Sequence, residues 1–449
     1  MIITPFLRKN LFEPLILFKS RSPRLHYWRK LEKTQYYSRM RLEEIQWQRL
    51  ERLWRFLWEN NDFYRNKFLE AGLTEKSLQG PDDITKLPIL TKEEVRNNNL
   101  ISKGFQKGKL LHFKTGGSTG KALDIFLTEE CSEIRHAYTR RHDRWAGWEP
   151  GEPVGAVWGN PKRPITFKQK IFNMLVQPKI FLDTMNITDE AVLEFAREWQ
   201  SIKPSLLFGH AHSVFILCRK IKKLGITSIR PNAIISSSMM LIPHERSAIE
   251  QTFGVKVTDR YGCEEVGLIA SECERHKGMH LNIEHLFIEF IKDDGTPANS
   301  GEYGRVIVTD LINFAMPFIR YQIEDVGIPS ERTCACGRGL PLMEKVVGRT
   351  ADFLVKKDGT MVAGISLIEN SLTRYRGIDQ MQIIQGCLDE IKLNIVPGRG
   401  YSAVTDQAVI RYFKQVFGDE INITIRKVSK IKPERSGKYR FSICKVQAF

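Results

Sequence analysis

The segment Phe113–Leu123, FKTGGSTGKAL, combines glycines, hydroxyls and a lysine in a way that suits phosphate binding. Glycine lets the backbone approach a ligand closely, and successive N–H groups then converge on an anion. The segment departs from the common phosphate-loop pattern, because only three residues separate Gly116 from Gly120 and Ala122 replaces the magnesium-binding hydroxyl. The loop therefore predicts phosphate chemistry of another kind, and a flexible surface turn is the alternative.

Four further motifs follow this loop in order. They are YGCEE at Tyr261–Glu265, RYQIEDVG at Arg320–Gly327, GRTAD at Gly348–Asp352 and RSGKYR at Arg435–Arg440. Together they resemble the adenylate-forming acyl ligase superfamily and, within it, the phenylacetate–CoA ligase family, most closely its capsule-polysaccharide-associated branch. LWENNDFYRNKFLEAGL, followed by LPILTKEEVRNN, is similar to the opening segment of that family, so the resemblance covers the chain from about residue 45 onward.

The resemblance implies an acid–thiol ligase. Such an enzyme uses ATP and Mg²⁺ to convert a carboxylic acid into acyl-AMP and pyrophosphate, and then passes the acyl group to coenzyme A. Negative charge grows on the α-phosphate during the first step, so donors and cations placed there lower the barrier. A sugar hydroxyl or amine is the alternative acceptor, which would make the protein an acyl- or adenylyltransferase of polysaccharide biosynthesis.

The resemblance also implies roles for individual residues. Glu265 and Lys438 are the predicted catalytic residues, Glu265 as a ligand of Mg²⁺ and Lys438 as the bridge between carboxylate and α-phosphate. Asp325 is expected to accept hydrogen bonds from the ribose, and Arg349 to reach the ribose from the hinge between domains. The remaining nucleotide contacts are implied for the phosphate loop and the adenine side: Thr115, Gly116, Gly117, Ser118, Thr119, Gly120, Lys121, Tyr261 and Gly262.

Three positions depart from the family pattern. Glu264 stands where a hydroxyl precedes the glutamate, Met239 lies where a glutamate is common, and Gln322 replaces a basic residue. Taken singly, each predicted site residue also has a structural explanation, as a surface charge, a turn residue or a solvated tail. These departures motivate an alternative from another class, a catalytically silent scaffold of a polysaccharide assembly.

A second group of residues suits a metal ion. Cys273 and His280 precede the pair Cys334 and Cys336, and three thiolates with one imidazole form a tetrahedral set typical of zinc. His276 competes with His280, which we favour because it ends the segment GMH. The same branch of the family carries similar positions, so the resemblance implies a structural zinc. Unmetallated buried cysteines are the alternative.

Aromatic and histidine residues beyond the motifs are less specific. Trp145, Trp148 and Trp158 are predicted to pack in the core rather than to line an acyl pocket. His210 and His212 follow a predicted strand, where they either face the acid site or are structural.

The elements that position these residues indicate an α/β fold. VGAVWGN, SLLFGH and NAIISSS are typical of short buried strands, each followed by a helical or polar segment, which predicts a large domain with mainly parallel sheets. Residues 24–71 have helical spacing, and Thr91 with Glu94 forms a capping-box pattern. Beyond the GRTAD motif, a β–α–β–β–α–β order predicts a small α+β domain.

The expected organisation has three parts. Residues 1–44 form a basic N-terminal extension, residues 45–348 a domain that binds ATP and the acid, and residues 349–449 a mobile C-terminal domain that carries Lys438. Rotation about Arg349–Asp352 would let one site serve both half-reactions.

Composition and charge limit the class of protein, its partners and its compartment. The 449 residues are 42% hydrophobic and 27% charged, as in globular proteins, and the net charge is +16. Residues 1–60 hold thirteen Lys or Arg and six Asp or Glu, which contributes +7. A basic segment of this kind suits contact with anionic lipid, nucleic acid or an acidic partner, and a solvated helical face is the favoured explanation. Contact with a membrane or with polysaccharide machinery through this segment is the partner hypothesis. No nucleic-acid module, signal peptide or membrane-spanning run is evident, so we expect a cytoplasmic protein, at most peripheral to the membrane, with reduced cysteines.

Overall fold

A computed structural model describes residues 4–115, 123–159, 166–184, 186–349, 353–359, 361–432 and 440–446. Its helices are α1 (Pro5–Leu7), α2 (Glu13–Lys19), α3 (Arg24–Thr34), α4 (Arg39–Asn60), α5 (Asp62–Glu70), α6 (Lys92–Asn97), α7 (Glu129–Trp145), α8 (Phe167–Leu175), α9 (Asp189–Ile202), α10 (Ala211–Leu224), α11 (Pro243–Phe253), α12 (Gly364–Arg374) and α13 (Ala403–Phe417).

The strands are β1 (Leu111–Lys114), β2 (Asp124–Leu127), β3 (Val154–Trp158), β4 (Lys179–Asp183), β5 (Leu206–His210), β6 (Ala233–Ser237), β7 (Val257–Cys263), β8 (Gly267–Glu272), β9 (Met279–Leu281), β10 (Leu286–Ile291), β11 (Gly304–Asp310), β12 (Tyr321–Ser330), β13 (Leu342–Arg349), β14 (Phe353–Val355), β15 (Met361–Ala363), β16 (Ile378–Cys387), β17 (Glu390–Pro397), β18 (Asn422–Lys427) and β19 (Ser442–Cys444).

One sheet of eleven strands organises the large domain. Its order is β10-β11-β12-β13-β9-β8-β7-β6-β5-β3-β4. Strands β3 to β7 pair in parallel through helices α8 to α11, as the sequence predicts. From β7 to β10 the pairings are antiparallel, so the sheet changes character at β7. The YGCEE motif therefore begins on the strand that joins the two halves.

Helices dominate the N-terminal part of the chain, as predicted. Ser38 caps α4 by accepting a hydrogen bond from the Arg41 N–H, and Thr91 with Glu94 forms the predicted capping box of α6. The inward face of α4 is apolar: Leu42, Leu50 and the leucines that follow are buried in the main core cluster. The helices thus cover the antiparallel half of the sheet.

The C-terminal region forms its own sheet and core. Four strands in the order β18-β17-β16-β19 pack with α12 and α13 around buried residues such as Met381, Leu393 and Phe413. The predicted α/β fold with a smaller α+β domain is confirmed, whereas the boundary at residues 348/349 and the mobility of the C-terminal domain stay predictions. Among the described helices, none combines the length and apolarity needed to cross a bilayer.

The C-terminal domain contacts the large domain at α10. Arg219 on α10 forms a 2.6 Å ion pair with Asp379 on β16. Nearby, the rings of His212 and Phe441 are 4.8 Å apart between centroids. Phe441 follows the RSGKYR motif directly, so this contact places one end of that motif beside α10.

Candidate active site and metal centre

Two predicted nucleotide-binding residues meet across the sheet. The Tyr261 hydroxyl donates a 2.8 Å hydrogen bond to Asp325 Oδ2, and both residues are buried. Tyr261 lies on β7 and Asp325 on β12, so residues 64 positions apart form one contact. Asp325 is also the register partner of Arg349 on β13. The fold therefore brings Tyr261, Asp325 and the Arg349 backbone together, as the predicted ribose and adenine contacts require.

Glu265 lies in the turn after β7 and is buried, whereas its neighbour Glu264 is exposed. The Tyr321 hydroxyl donates a 3.0 Å hydrogen bond to Glu265 Oε1. Burial, followed by the charge of Glu265, raises the pKa of Tyr321, which keeps that phenol protonated as a donor. A buried carboxylate with a fixed orientation is suited to hold a hard cation such as Mg²⁺.

Arg135 on α7 supports the turn that carries both glutamates. Its guanidinium donates to the carbonyl oxygens of Glu264 at 3.1 Å and Glu265 at 2.8 Å, and it pairs with Asp310 at 2.6 Å. Neither Arg135 nor Tyr321 was assigned a role from the sequence. Tyr321 stands inside the RYQIEDVG motif and could have been found there, but Arg135 carries no local signal because its partners are far away in the chain.

Gly262 is needed for close backbone packing at the same place. A Cβ at this position would lie 2.6 Å from the carbonyl oxygen of Gly267 on the neighbouring strand, a distance that requires the backbone to shift. A side chain at Gly262 would thus disturb the turn that orients Glu265.

Thr115 closes the base of the glycine loop. Its N–H donates to the Leu123 carbonyl at 3.0 Å, and its hydroxyl accepts from the Leu123 N–H at 2.8 Å. The antiparallel pairing of β1 with β2 continues from these two hydrogen bonds, so Thr115 and Leu123 are held next to each other. Six predicted phosphate-binding residues lie outside the described residues: Gly116, Gly117, Ser118, Thr119, Gly120 and Lys121. Lys438 lies outside them as well.

His210 and His212, for which a role at the acid site and a structural role were both open, lie at the carboxyl end of the parallel strands, where α/β sheets commonly bind ligands. His210 packs on Trp158 with ring centroids 4.1 Å apart, and His212 Nδ1 is hydrogen-bonded to Glu245. Trp145 and Trp148 are buried, and Trp145 donates a 2.8 Å hydrogen bond to Gln35. Trp145 and Trp148 are therefore core residues, as predicted, whereas Trp158 packs between Phe208 and His210.

The predicted metal ligands converge on one point. One ligand atom from each of Cys273, His280, Cys334 and Cys336 lies within 4.8 Å of all the others. Cys273 Sγ is 3.7 Å from Cys334 Sγ, and Cys336 Sγ is 3.3 Å from His280 Nε2. Three sulfurs and one nitrogen in this arrangement match the donor set and closed geometry of a structural zinc site.

The choice between the two histidines is decided by geometry. His280 donates from Nδ1 to the Leu340 carbonyl at 3.0 Å, which directs Nε2 at the cysteines, as metal-ligating histidines usually require. Burial lowers the pKa of His280 to about 4, so the imidazole is neutral and able to ligate. His276 instead lies with Nδ1 3.3 Å from Glu272 Oε2.

Comparisons with known proteins agree with this fold. The chain is 24% identical over 450 residues to the protein CapK of Staphylococcus aureus, covering 98% of this chain and 97% of CapK. It is also 24% identical to a phenylacetate-coenzyme A ligase of Thermus thermophilus, covering 80% of this chain and 82% of the relative. Residues 354–445 match the family described as the CapK C-terminal domain.

Solved structures share the same architecture. A 2-hydroxyisobutyryl-CoA ligase in the postadenylation state, in complex with R3-HIB-AMP, superposes with a TM-score of 0.71 at 16% identity, over 91% of this chain and 89% of that chain. ATP-bound MatB from Rhodopseudomonas palustris gives a TM-score of 0.55 at 13% identity, over 76% of this chain and 68% of that chain. The predicted resemblance to the phenylacetate–CoA ligase-like family of adenylate-forming proteins is confirmed, and the protein named CapK is a further relative.

Proposed function

We propose that this protein is an AMP-forming ligase that activates a carboxylic acid with ATP and passes the acyl group to coenzyme A. The observation that carries the proposal is a pair of hydrogen bonds between the β7 region and β12. The Tyr261 hydroxyl donates to Asp325, and the Tyr321 hydroxyl donates to Glu265. The buried carboxylate of Asp325 fits the ribose hydroxyls, and the buried carboxylate of Glu265 fits a cation. The relatives named phenylacetate-coenzyme A ligase support this assignment.

In the first half-reaction, a carboxylate oxygen attacks the α-phosphorus of ATP, and the bond to pyrophosphate breaks with its electron pair leaving on that group. Asp325, held by Tyr261, orients the ribose, and Glu265 is the residue that would hold Mg²⁺, which neutralises phosphate charge when bound. The glycine loop from Thr115 to Lys121 would bind the outer phosphates, and Lys438 would approach the reacting carboxylate.

In the second half-reaction, the coenzyme A sulfur attacks the acyl carbonyl carbon, the thiol proton is released, and AMP leaves. The role of the chain is to orient both partners and exclude water while the C-terminal domain changes position. The contact of Phe441 with His212 supports a position for this domain close to the carboxyl end of the parallel strands. The proposed compartment is the cytoplasm.

A second candidate acceptor is a sugar. The relative named CapK matches 98% of the chain, whereas the phenylacetate-coenzyme A ligases match at most 80%. Together with the resemblance to the capsule-polysaccharide-associated branch, this coverage motivates a role in polysaccharide biosynthesis, in which a sugar hydroxyl or amine replaces the thiol. A catalytically silent scaffold is the remaining alternative, motivated by Glu264, Met239 and Gln322.

We also propose that Cys273, His280, Cys334 and Cys336 hold a structural zinc ion. The fit of donors and distances supports this ion, and it would fix the loop after β8 to the loop before β13. No role in the reaction is assigned to it, because a set of four protein ligands leaves no open position.

The test of the ligase is ATP–pyrophosphate exchange with a panel of aryl, short-chain and sugar acids. We expect exchange with one class of acid, reduced about 100-fold or more in Glu265→Gln and in Lys438→Ala. Glu264→Gln is the matched control, because the exposed neighbour should retain exchange. ATP binding without exchange for any acid would favour the scaffold. Formation of a thioester or of an acylated sugar then decides the acceptor.

A further inference from the structure

We propose that the N-terminal helical segment and helix α8 form a surface that docks on an anionic lipid membrane. We call it the N-terminal apolar surface and define it by its exposed apolar residues: Phe6, Leu11, Leu15, Phe18, Phe167, Phe172 and Met174. The inference is independent of the proposed ligase activity.

Residues 5–19 form one helical segment from α1 through α2, in which two charged residues are buried and four bulky apolar residues are exposed, while Leu17 is buried. Charged Arg8 and Glu13 are buried, at 9% and 5% exposure, whereas Phe6 and Phe18 are 71% and 84% exposed. An amphipathic helix on a globular protein normally buries its apolar side. Burial of the charges and exposure of the aromatic rings indicate that the exposed face of this segment is an interaction surface.

The helix is nevertheless anchored firmly to the protein. Arg8 donates to the carbonyl oxygens of Met174 at 3.0 Å and Gly151 at 3.3 Å, and Glu13 pairs with the buried Arg140. A Cβ at Gly151 would lie 2.5 Å from the Pro5 carbonyl oxygen, which shows how closely the helix approaches. The orientation of the apolar side is therefore fixed by polar contacts on the other side.

A π-turn keeps the exposed residues in line. Residues Arg8–Phe12 form this turn, in which the Glu13 N–H donates to the Arg8 carbonyl. The turn contains one more residue than an α-helical turn, so Phe6 and Leu11, five positions apart, lie on the same side as Leu15 and Phe18. The result is a continuous apolar strip along the segment.

Helix α8 extends this surface. Phe167 is 79% exposed and Phe172 is 52% exposed, and the helix contains no buried residue among those whose side chains are described. The hydrogen bond from Arg8 to the Met174 carbonyl places the two helices side by side. Two neighbouring helices that both expose bulky apolar side chains make a larger patch than isolated surface residues would.

The charge around the N-terminal apolar surface indicates which kind of partner fits it. Residues 4–30 contain seven Lys or Arg, of which Arg8 is buried and Lys9 and Arg24 pair with Glu149 and Glu133, and one acidic residue, Glu13, which is buried in an ion pair. Residues 166–180 contain three Lys and no acidic residue. Lys19, Arg21 and Lys170 are exposed. Apolar rings surrounded by cations are the pattern of a helix that lies in the interface of an anionic bilayer. A second copy of the same basic surface would be repelled.

The test is cosedimentation of the full chain with vesicles of phosphatidylcholine, with and without phosphatidylglycerol. We expect binding to the anionic vesicles that falls about tenfold or more in Phe18→Ser/Phe167→Ser. Lys19→Glu/Lys170→Glu should lose the preference for phosphatidylglycerol. Tyr303→Ser/Val404→Ser removes exposed apolar residues at 56% and 73% exposure elsewhere, and should bind as the wild type does.

Thermal unfolding checks that each variant is folded, which we expect because the substituted side chains are exposed. Absence of binding by the wild type, or equal loss in both double serine variants, would overturn the proposal. Concentration-dependent dimerisation that Phe18→Ser/Phe167→Ser abolishes, without vesicle binding, would assign the surface to a second copy and overturn it as well.

Discussion

Glu264 and Glu265 are neighbours, yet the first is exposed and the second is buried against Tyr321. Both residues lie in the turn between β7 and β8, where the backbone changes direction from one residue to the next. The environment of a carboxylate in this turn therefore changes completely between two adjacent positions. The departure at Glu264 concerns an exposed side chain, whereas the group proposed to hold Mg²⁺ is retained.

The metal centre leads to a prediction at the residue scale. Purified protein should carry about one zinc ion per chain, and Cys336→Ser should lower zinc affinity about tenfold or more and destabilise the fold by about 2 kcal/mol. Metal analysis and urea unfolding measure the two effects. His276→Ala is the matched control, because His276 points to Glu272 and should leave the zinc content unchanged. Equal metal loss in both variants would exclude the proposed ligand set.

A buried carboxyl near the proposed active site predicts a dependence on pH. Burial, and then the charge of Glu272, raises the pKa of Asp259 to about 7. An unfolded Asp loses its proton near pH 4, so between about pH 4 and pH 7 the folded chain retains a proton that the unfolded chain has released. This contribution to the free energy of unfolding is present at low pH and lost as the pH rises to about 7.

Asp259→Asn removes the titration but keeps an oxygen for the Ser236 hydroxyl, which donates to Asp259 Oδ1 at 2.7 Å. Relative to the variant, the wild type should lose at most about 4 kcal/mol of unfolding free energy across that window. Urea unfolding at several pH values measures the difference. Parallel pH profiles for the two proteins would show that Asp259 titrates normally.

At the scale of elements, strand β3 must lie close to helix α9. A Cβ on Gly155 would lie 2.2 Å from Cζ3 of the buried Trp199. Gly155→Ala should therefore destabilise the protein by about 1–3 kcal/mol, because the rigid indole must move within a packed core. Chemical denaturation measures the change.

The control is another strand glycine. Gly386→Ala on β16 has nothing within 4 Å of the added Cβ, and should alter stability by less than about 0.5 kcal/mol. If the two variants were equally stable, the approach of α9 to β3 would not be as close as the structure shows.

At the scale of the whole molecule, the contacts between the domains include a partly exposed ion pair beside the ring contact of His212 with Phe441. The side chains of Arg219 and Asp379 are 48% and 27% exposed, so their ion pair contributes about 1 kcal/mol or less. A weak contact suits a domain that is proposed to occupy more than one position during a reaction cycle.

Reversing one charge should shift that balance. Arg219→Asp is expected to reduce the population of the arrangement seen here about fivefold, and the swap Arg219→Asp/Asp379→Arg should restore it. Single-molecule energy transfer between labels on the two domains measures the populations. Identical distributions in the wild type and Arg219→Asp would show that this ion pair does not select the arrangement.

The sequence by itself determined the features that depend on neighbouring residues. The spacing of apolar residues predicts strands such as β3 and β5, the Thr91–Glu94 pattern predicts the start of α6, and the order of five motifs identifies the family resemblance. The proposed metal ligands could also be named from the sequence, because cysteine and histidine are rare and their donor chemistry is specific.

Only the tertiary structure decided which side chains meet. Arg135 pairs with Asp310 across 175 positions, and the orientation of His280 toward the cysteines depends on the Leu340 carbonyl, which lies 60 residues away. The apolar side of the N-terminal helix faces outward because Arg8 and Glu13 find buried partners elsewhere. Such contacts join residues far apart in the chain, so local sequence patterns do not predict them. Buried polar groups need hydrogen-bond partners, and only the packed fold specifies which partner each group has.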